Sequence, residues 1–265
     1  MNSFRLTVLV LLLSITNSIF SQQNLNSQFT VVVDAGHGGK DPGNTGNGYL
    51  EKKIALSIAL KLGKKLEDNG VKVVYTRKSD VFVNLFERAN IANRSNAQLF
   101  ISIHCDSHTS QAYGAGTFVL GLHANQRNFE VAKKENSVIF FEEDYINKYE
   151  GFDPNNPESV IGLTLMQEEY LDQSIVAASY IQNSFVNKLN RRNRTVKQAG
   201  FIVLKYTYMP SVLVETGFLT NNSEGAYLNS VKGQNEMADA IASAVVEYKN
   251  DFFQNLSTTN LINDL

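Results

Sequence analysis

Phe29-Thr30-Val31-Val32-Val33-Asp34-Ala35-Gly36-His37-Gly38-Gly39 runs from an apolar stretch into a glycine-rich loop that carries a histidine. Its first six residues read as a buried strand. Downstream, Leu50, Ile54, Ile58, Leu62 and Leu66 fall on one helical face beside Ala55 and Ala59, and Gly70 ends that helix at C′. Val71–Thr76 reads as a second strand, Asn84–Ser95 as a second helix, Leu99–Ile103 as a third strand and Gly116–Leu120 as a fourth. Further on, the pattern predicts a helix over Ile175–Leu189, short strands over Phe201–Leu204 and Val212–Val214, and a closing helix over Met237–Tyr248. Leu256–Leu265 reads as a frayed end. Alternating strands and helices predict an α/β fold: a single domain over 28–250 with a mostly parallel twisted sheet flanked by helices, then a C-terminal tail over 251–265.

The composition bounds the function. A chain of 265 residues that is 43% hydrophobic and 10% aromatic can bury a sizeable core, which excludes disorder throughout. Arg5, the apolar run Leu6–Ile15 and the small polar residues ending at Ser21 have the layout of a secretory signal peptide over 1–21. That run is too short to span a bilayer comfortably, and no other stretch is long and apolar enough. Without residues 1–21 the chain carries 23 Lys/Arg against 26 Asp/Glu, a net −3, so no nucleic-acid partner is expected. The basic cluster Arg191, Arg192, Arg194 and Lys197 follows a helical stretch and reads as a solvated helix end. Cys105 is the sole cysteine, so no internal disulfide forms, and it reads as a small buried residue. Residues 123–172 differ from the rest, with eleven acidic residues against four Lys/Arg. They read as an acidic, partly helical insertion.

In open α/β sheets, ligands bind beyond the carboxyl ends of the strands. His37 follows the first strand there, His104 the third and Glu215 the sixth, while Glu51 opens the first helix. Each has an ordinary alternative: a turn histidine, a carboxylate favouring the helix dipole, a hydrogen-bonded core histidine. Glu215 is harder to explain that way, since a buried carboxylate needs a partner. Together they fit a zinc site of two imidazoles and one carboxylate with a fourth position open for water. The loop lacks the third glycine of a dinucleotide fingerprint, no Gly-Lys-Ser/Thr follows it, and Gly-x-Ser-x-Gly is absent.

The sequence closely resembles the zinc-dependent N-acetylmuramoyl-L-alanine amidases of the type-3 amidase family. The resemblance lies in Val33-Asp34-Ala35-Gly36-His37-Gly38-Gly39 with Asp41-Pro42-Gly43, in Leu50-Glu51-Lys52, and in Thr76-Arg77 with Asp80. It continues through Leu85, Arg88, Ala89-Asn90, Ser102-Ile103-His104-Cys105-Asp106 and Pro210-Ser211-Val212-Leu213-Val214-Glu215-Thr216-Gly217-Phe218, in order over about residues 29–249. It implies one Zn²⁺ held by His37, Glu51 and His104, with Glu215 as the catalytic carboxylate. The implied reaction is hydrolysis of the amide between N-acetylmuramic acid and L-alanine in peptidoglycan, for wall remodelling or daughter-cell separation. A zinc peptidase acting on wall peptides and a non-catalytic wall-binding regulator are the alternatives. Members often have alanine where this chain has Cys105, an exchange of one small residue for another. Arg77, Asp80 and Arg88 are expected in structural ion pairs, and His108 and His123 have no assigned role.

The expected setting is the periplasm or cell envelope, with peptidoglycan as substrate, no membrane span after signal cleavage, and a monomeric chain. Related amidases with an insertion after the fourth strand are held off by a glutamate in the open zinc position. Here the insertion is net −7 while the rest of the chain after residue 21 is +4, so it is drawn to its own domain. Glu142 and Glu143 are the first candidates for such an autoinhibitory plug and Glu135 the next, with an activator protein acting on 123–172 to release it; the alternative is a solvated acidic loop that only shapes the groove.

Overall fold

The computed structural model describes residues 28–122, 125–160 and 168–263. The expected signal peptide lies outside the described residues, as do His123, residue 124 and residues 161–167 of the insertion. In chain order come β1 (Thr30–Ala35), the short pair β2 (Thr45–Gly46) and β3 (Tyr49–Leu50), α1 (Glu51–Asp68), β4 (Lys72–Tyr75), α2 (Leu85–Arg94), β5 (Leu99–Asp106) and β6 (Ala115–Leu120). The insertion supplies α3 (Gln126–Asn136), a 3-10 turn (Ser137–Phe141) and α4 (Tyr145–Lys148). Then follow α5 (Glu168–Leu189), β7 (Asn193–Ala199), α6 (Ile202–Lys205), β8 (Ser211–Phe218), α7 (Asn222–Asn229) and α8 (Val231–Asn263).

The main sheet has the order β4-β1-β5-β8-β6-β7. Its first four strands are parallel, β6 runs antiparallel to β8, and β7 runs parallel to β6. The carboxyl ends of β1, β5 and β8 therefore share one edge with the amino ends of β6 and β7. Alternate side chains part to the two faces. Val31, Val33, Ile101, Ile103, Val212 and Val214 pack under α1, α5 and α8, and the apolar stripe of α1 is buried there as its spacing predicts. Val32, Phe100, Phe118 and Leu213 form a second core with α2, α6 and the insertion, which contributes Val131, Ala132, Val138, Ile139 and Tyr149.

Several elements differ from the pattern-based expectation. The basic cluster does not end a helix: Arg194 and Lys197 lie on β7, an edge strand too polar to show an apolar run. Phe201–Leu204 is not a strand, for Ile202–Lys205 turns as a short helix, an ambiguity that four apolar residues cannot resolve by themselves. The closing helix starts earlier and continues past Tyr248, because Phe252 and Phe253 pack edge-on against Phe29. Among the described residues, no helix is long and apolar enough to cross a membrane.

Beneath the ligand edge lies a buried ion pair. Asp34, fully buried on β1, accepts from Arg88 Nη1 at 2.6 Å, Ser102 Oγ at 2.6 Å and Thr76 Oγ1 at 2.5 Å. Burial alone would raise the Asp34 pKa, but Arg88 and the two hydroxyls hold it below the usual carboxylate range. Arg88 also donates to the carbonyls of Ala35 (2.6 Å) and His37 (2.7 Å), and Arg77 to those of Ala35 (2.9 Å) and Gly36 (2.7 Å). Asp80 pairs with Lys52 at 2.8 Å and accepts from Gly39 N at 2.8 Å. Arg88 and Asp80 thus sit in ion pairs as expected, whereas Arg77 is held by backbone carbonyls and not by an ion pair among the described residues. Replacing Arg88 by Met strands the Asp34 charge, so Arg88→Met is expected to destabilise the fold by about 3–5 kcal/mol. Urea unfolding followed by circular dichroism checks this, and a midpoint equal to that of the unaltered chain would refute it.

Candidate metal centre

Four side chains from four places in the chain meet at the shared edge. His37 comes from the loop after β1, Glu51 from the first residue of α1, His104 from β5 and Glu135 from α3 of the insertion. One ligand atom of each lies within 4.8 Å of all the others, and all four residues are buried. His37 Nε2 stands 3.1 Å from Glu51 Oε2, 3.0 Å from Glu135 Oε2 and 3.1 Å from His104 Nδ1. His104 Nδ1 stands 3.1 Å from Glu51 Oε1 and 2.9 Å from Glu135 Oε2. Metal–ligand bonds of 2.0–2.2 Å in a tetrahedron give edges of about 3.3–3.6 Å. The contacts about the two imidazoles, 2.9–3.1 Å, come close to these edges, while the four donors as a set lie within 4.8 Å of one another.

The surrounding contacts set which nitrogens face the centre. His37 Nδ1 lies 2.7 Å from the Asp41 carboxylate, to which it donates, leaving the Nε2 lone pair inward. His104 Nε2 lies 3.1 Å from Ser102 Oγ. Because that hydroxyl gives its proton to Asp34, it accepts from Nε2, and the Nδ1 lone pair turns inward. Glu51 is oriented by the backbone N–H groups of Asn44 and Cys105, each at 2.7 Å. Two glycines make the approach: a Cβ on Gly36 would lie 2.4 Å from His104 Cε1, and one on Gly43, at φ +67°, would lie 2.7 Å from Glu51 Oε2.

The electrostatics favour positive charge at the centre. Burial would lower the pKa of His104, yet the Glu135 and Glu51 carboxylates push it up to about 9. His37 is raised as well, against its burial, by Glu51 and Glu135. Burial and the charge of Glu51 would raise the Glu135 pKa, but the two imidazoles hold it low. A pocket that draws protons onto both imidazoles is one that a metal cation can enter in their place.

Glu215 lies on β8 in register with His104 on β5. It is 3% exposed, and neither carboxylate oxygen has a hydrogen-bond partner among the described residues. Burial first, then the charges of Asp106 and Glu135, raise its pKa well above the ordinary value. The structure therefore brings His37, Glu51, His104 and Glu215 to one edge. Of the three insertion glutamates it brings in Glu135 and not the other two: Glu142 pairs with Lys148 at 2.5 Å and accepts from Tyr149 OH at 2.7 Å, and Glu143 is exposed. A helix through residues 126–136 puts its penultimate residue over the centre, a placement that charge counting along the insertion does not reveal. Cys105 is buried, its Sγ 3.2 Å from Thr216 Oγ1, and burial pushes the thiol pKa up, so it is not poised as a nucleophile. His108 bonds Ser110 Oγ at 2.8 Å and takes no part in the cluster.

Comparison with known proteins agrees with this geometry. The family model of the type-3 N-acetylmuramoyl-L-alanine amidases matches residues 31–247. The chain is 35% identical over 225 residues to N-acetylmuramoyl-L-alanine amidase AmiA of Escherichia coli (strain K12), covering 82% of this chain and 75% of that one. The structure of N-acetylmuramoyl-L-alanine amidase AmiC2 of Nostoc punctiforme superposes with a TM-score of 0.63 at 30% identity, over 84% of this chain and 97% of the other. The CwlD amidase of Clostridioides difficile, solved in complex with the GerS lipoprotein, superposes with a TM-score of 0.60 at 26% identity, over 84% and 99%. With the matched segment containing every residue of the edge cluster, the chain belongs to the N-acetylmuramoyl-L-alanine amidase family and is a peptidoglycan amidase.

Proposed function

We propose that the chain hydrolyses the amide between the lactyl group of N-acetylmuramic acid and L-alanine, using one Zn²⁺ held by His37 Nε2, Glu51 and His104 Nδ1. The observation that carries this is the gathering of four buried donors within 4.8 Å of one another, each imidazole turned inward by a partner behind it. When bound, the ion supplies Lewis-acid polarisation, brings the pKa of a water towards neutrality, and adds positive charge that offsets the carboxylate repulsion at Glu215. Glu215 takes the proton of the attacking water and delivers it to the departing nitrogen of L-alanine. Its buried carboxylate has no hydrogen-bond partner among the described residues, which suits this role, since no internal donor competes with water or substrate for its oxygens. Asp41 and Ser102 keep the two imidazoles in the tautomers that face the centre. Glu215→Gln is expected to keep zinc, measured by elemental analysis, while turnover of purified peptidoglycan falls about a hundredfold or more. Undiminished turnover would assign the base to another residue.

Glu135 acts in this proposal as an autoinhibitory plug. Its carboxylate fills the remaining donor position, where the nucleophilic water must stand, and α3 holds it there. Several contacts support that placement. Asn136 bridges to Gly200 O (2.7 Å) and Ile202 N (2.9 Å), Arg127 pairs with Asp106 at 3.3 Å, and Lys40 Nζ donates to Phe141 O at 2.6 Å. A partner that draws the insertion away would open the site, as an activator of an enzyme exported to the periplasm or cell envelope. The complex of the related CwlD amidase with a lipoprotein motivates this role for a partner. Glu135→Gln should raise basal wall hydrolysis about ten- to a hundredfold, the effect of losing one charge-assisted contact of ~1.5–3 kcal/mol. A folded variant with unaltered basal activity would remove Glu135 from this role.

A further inference from the structure

Beyond Glu215, on the side of the sheet away from the imidazoles, lies a group of cations that the hydrolytic machinery does not use. Gly116 on β6 pairs in register with Glu215 on β8, so the two positions project to the same face. A Cβ at Gly116 would lie 3.1 Å from Lys197 Nζ and 3.1 Å from Arg194 Cβ. The Lys197 ammonium, reaching in from β7, thus occupies the space over Gly116. Successive strands place His104, Glu215 and Gly116, over which this ammonium lies, in a row at intervals of about 4.8 Å. Arg194 and Arg127 lie over the same Phe218 ring, at 4.9 Å and 5.4 Å from its centroid, and Lys197 lies 4.9 Å from that of Phe118.

Of these cations Arg127 alone has an ion-pair partner among the described residues, and Arg194 and Lys197 have none. Asp106 is engaged by Arg127 at 3.3 Å and by Ser107 N at 2.7 Å. Glu224 is engaged by Arg191 and by the N–H groups of Gly114 and Phe218. Arg194 donates through Nε to Tyr113 O at 2.8 Å, and Lys197 makes no hydrogen bond among the described residues. Burial first, with Arg127 and Arg194, lowers the Lys197 pKa to about 8 against the opposing pull of Asp106 and Glu215. An edge-strand lysine usually serves to keep other chains away and points into solvent. Lys197 folds back over the catalytic face instead.

We propose that Lys197 and Arg194, with Arg127 beside them, form the subsite for a free carboxylate of the stem peptide. This rests on Glu215 serving the leaving nitrogen. Whatever lies past Glu215 from the metal ligands then meets the peptide half of the substrate. Only that half carries carboxylates close to the cleaved bond, because the lactyl carboxyl of the sugar is consumed in the amide itself. The residue after L-alanine is a D-glutamyl unit joined through its side-chain carboxyl, so its α-carboxylate stays free unless amidated. That carboxylate lies one to two residues from the scissile nitrogen, about 3.3–3.6 Å per residue when extended, which matches the strand spacing to Lys197.

The test uses the full chain and two soluble muramoyl peptides that differ only at this group, one with the free α-carboxylate and one with its amide. The unaltered enzyme should prefer the free acid in kcat/KM by about ten- to a hundredfold, as expected for a charge-assisted contact. Lys197→Gln and Arg194→Gln should each bring that ratio towards one, chiefly through KM, while Lys197→Arg retains it. A second pair of muramoyl peptides, ending at this residue with its side-chain carboxyl amidated and its α-carboxyl either free or amidated, separates this group from carboxylates further along the stem: retained preference supports the assignment, and lost preference overturns it. Equal use of the free acid and amide by the unaltered enzyme overturns the proposal, as does a preference that survives Lys197→Gln. Loss of both activities alike in Lys197→Gln would also overturn it, placing Lys197 in the reaction or the fold. Glu215→Gln, assayed in parallel, tells whether the base assignment fails separately.

Discussion

The buried pair of Asp34 and Arg88 holds the catalytic edge together. Loop 35–37 must leave β1 with its carbonyls pointing into the protein, where water cannot satisfy them. Arg88 and Arg77 supply the donors, from α2 and from just after β4. The same Asp34 carboxylate reaches across to β5 through Ser102, and so to the outer nitrogen of His104. One buried charge thus orients a ligand on its own loop through Arg88 and a ligand on the neighbouring strand through a hydroxyl. Such a pair contributes little net stability over an apolar replacement, but removal of one partner is severe. Its presence here answers a positional need.

A sheet edge built this way collects opposite charges in a dry place. Glu51 and Glu135 face two imidazoles, and Glu215 stands beside them without a hydrogen bond. Moving outward along the strands, the charge changes sign to Arg127, Arg194 and Lys197. The edge therefore runs from a cation-seeking end at β1 and β5 to an anion-seeking end at β6 and β7, with Glu215 at the boundary. A linear substrate laid along it would meet the proposed metal ligands, then the proposed proton carrier, then the cations.

The insertion shows how charge and shape divide the work. Its excess of acid suggests attraction to the body of the enzyme, yet what secures it is apolar: Val131, Ala132, Val138 and Ile139 enter the second core. Only with those residues buried does the helical period turn Glu135 inward. The more conspicuous pair after Phe141 is engaged elsewhere or exposed.

Much of this was legible in the chain before any coordinates. The valine run, the α1 stripe and the spacing of His37, Glu51, His104 and Glu215 all follow from local period and from the rule that sites lie past strand ends. What stayed hidden was of another kind. β7 has too few apolar residues to announce itself, because an edge strand with a single partner is satisfied by backbone pairing. The gathering of Lys197 and Arg194 beside Glu215 depends on β6 running antiparallel to β8 and on a side chain missing at Gly116, contacts between residues far apart in sequence. By itself the sequence determined which residues are candidates for the chemistry and the layered fold that positions them, since both are written in short-range patterns. Only the tertiary structure decided which glutamate meets the imidazoles and which cations border the catalytic carboxylate, since those depend on how separate elements pack and on which face each side chain then shows.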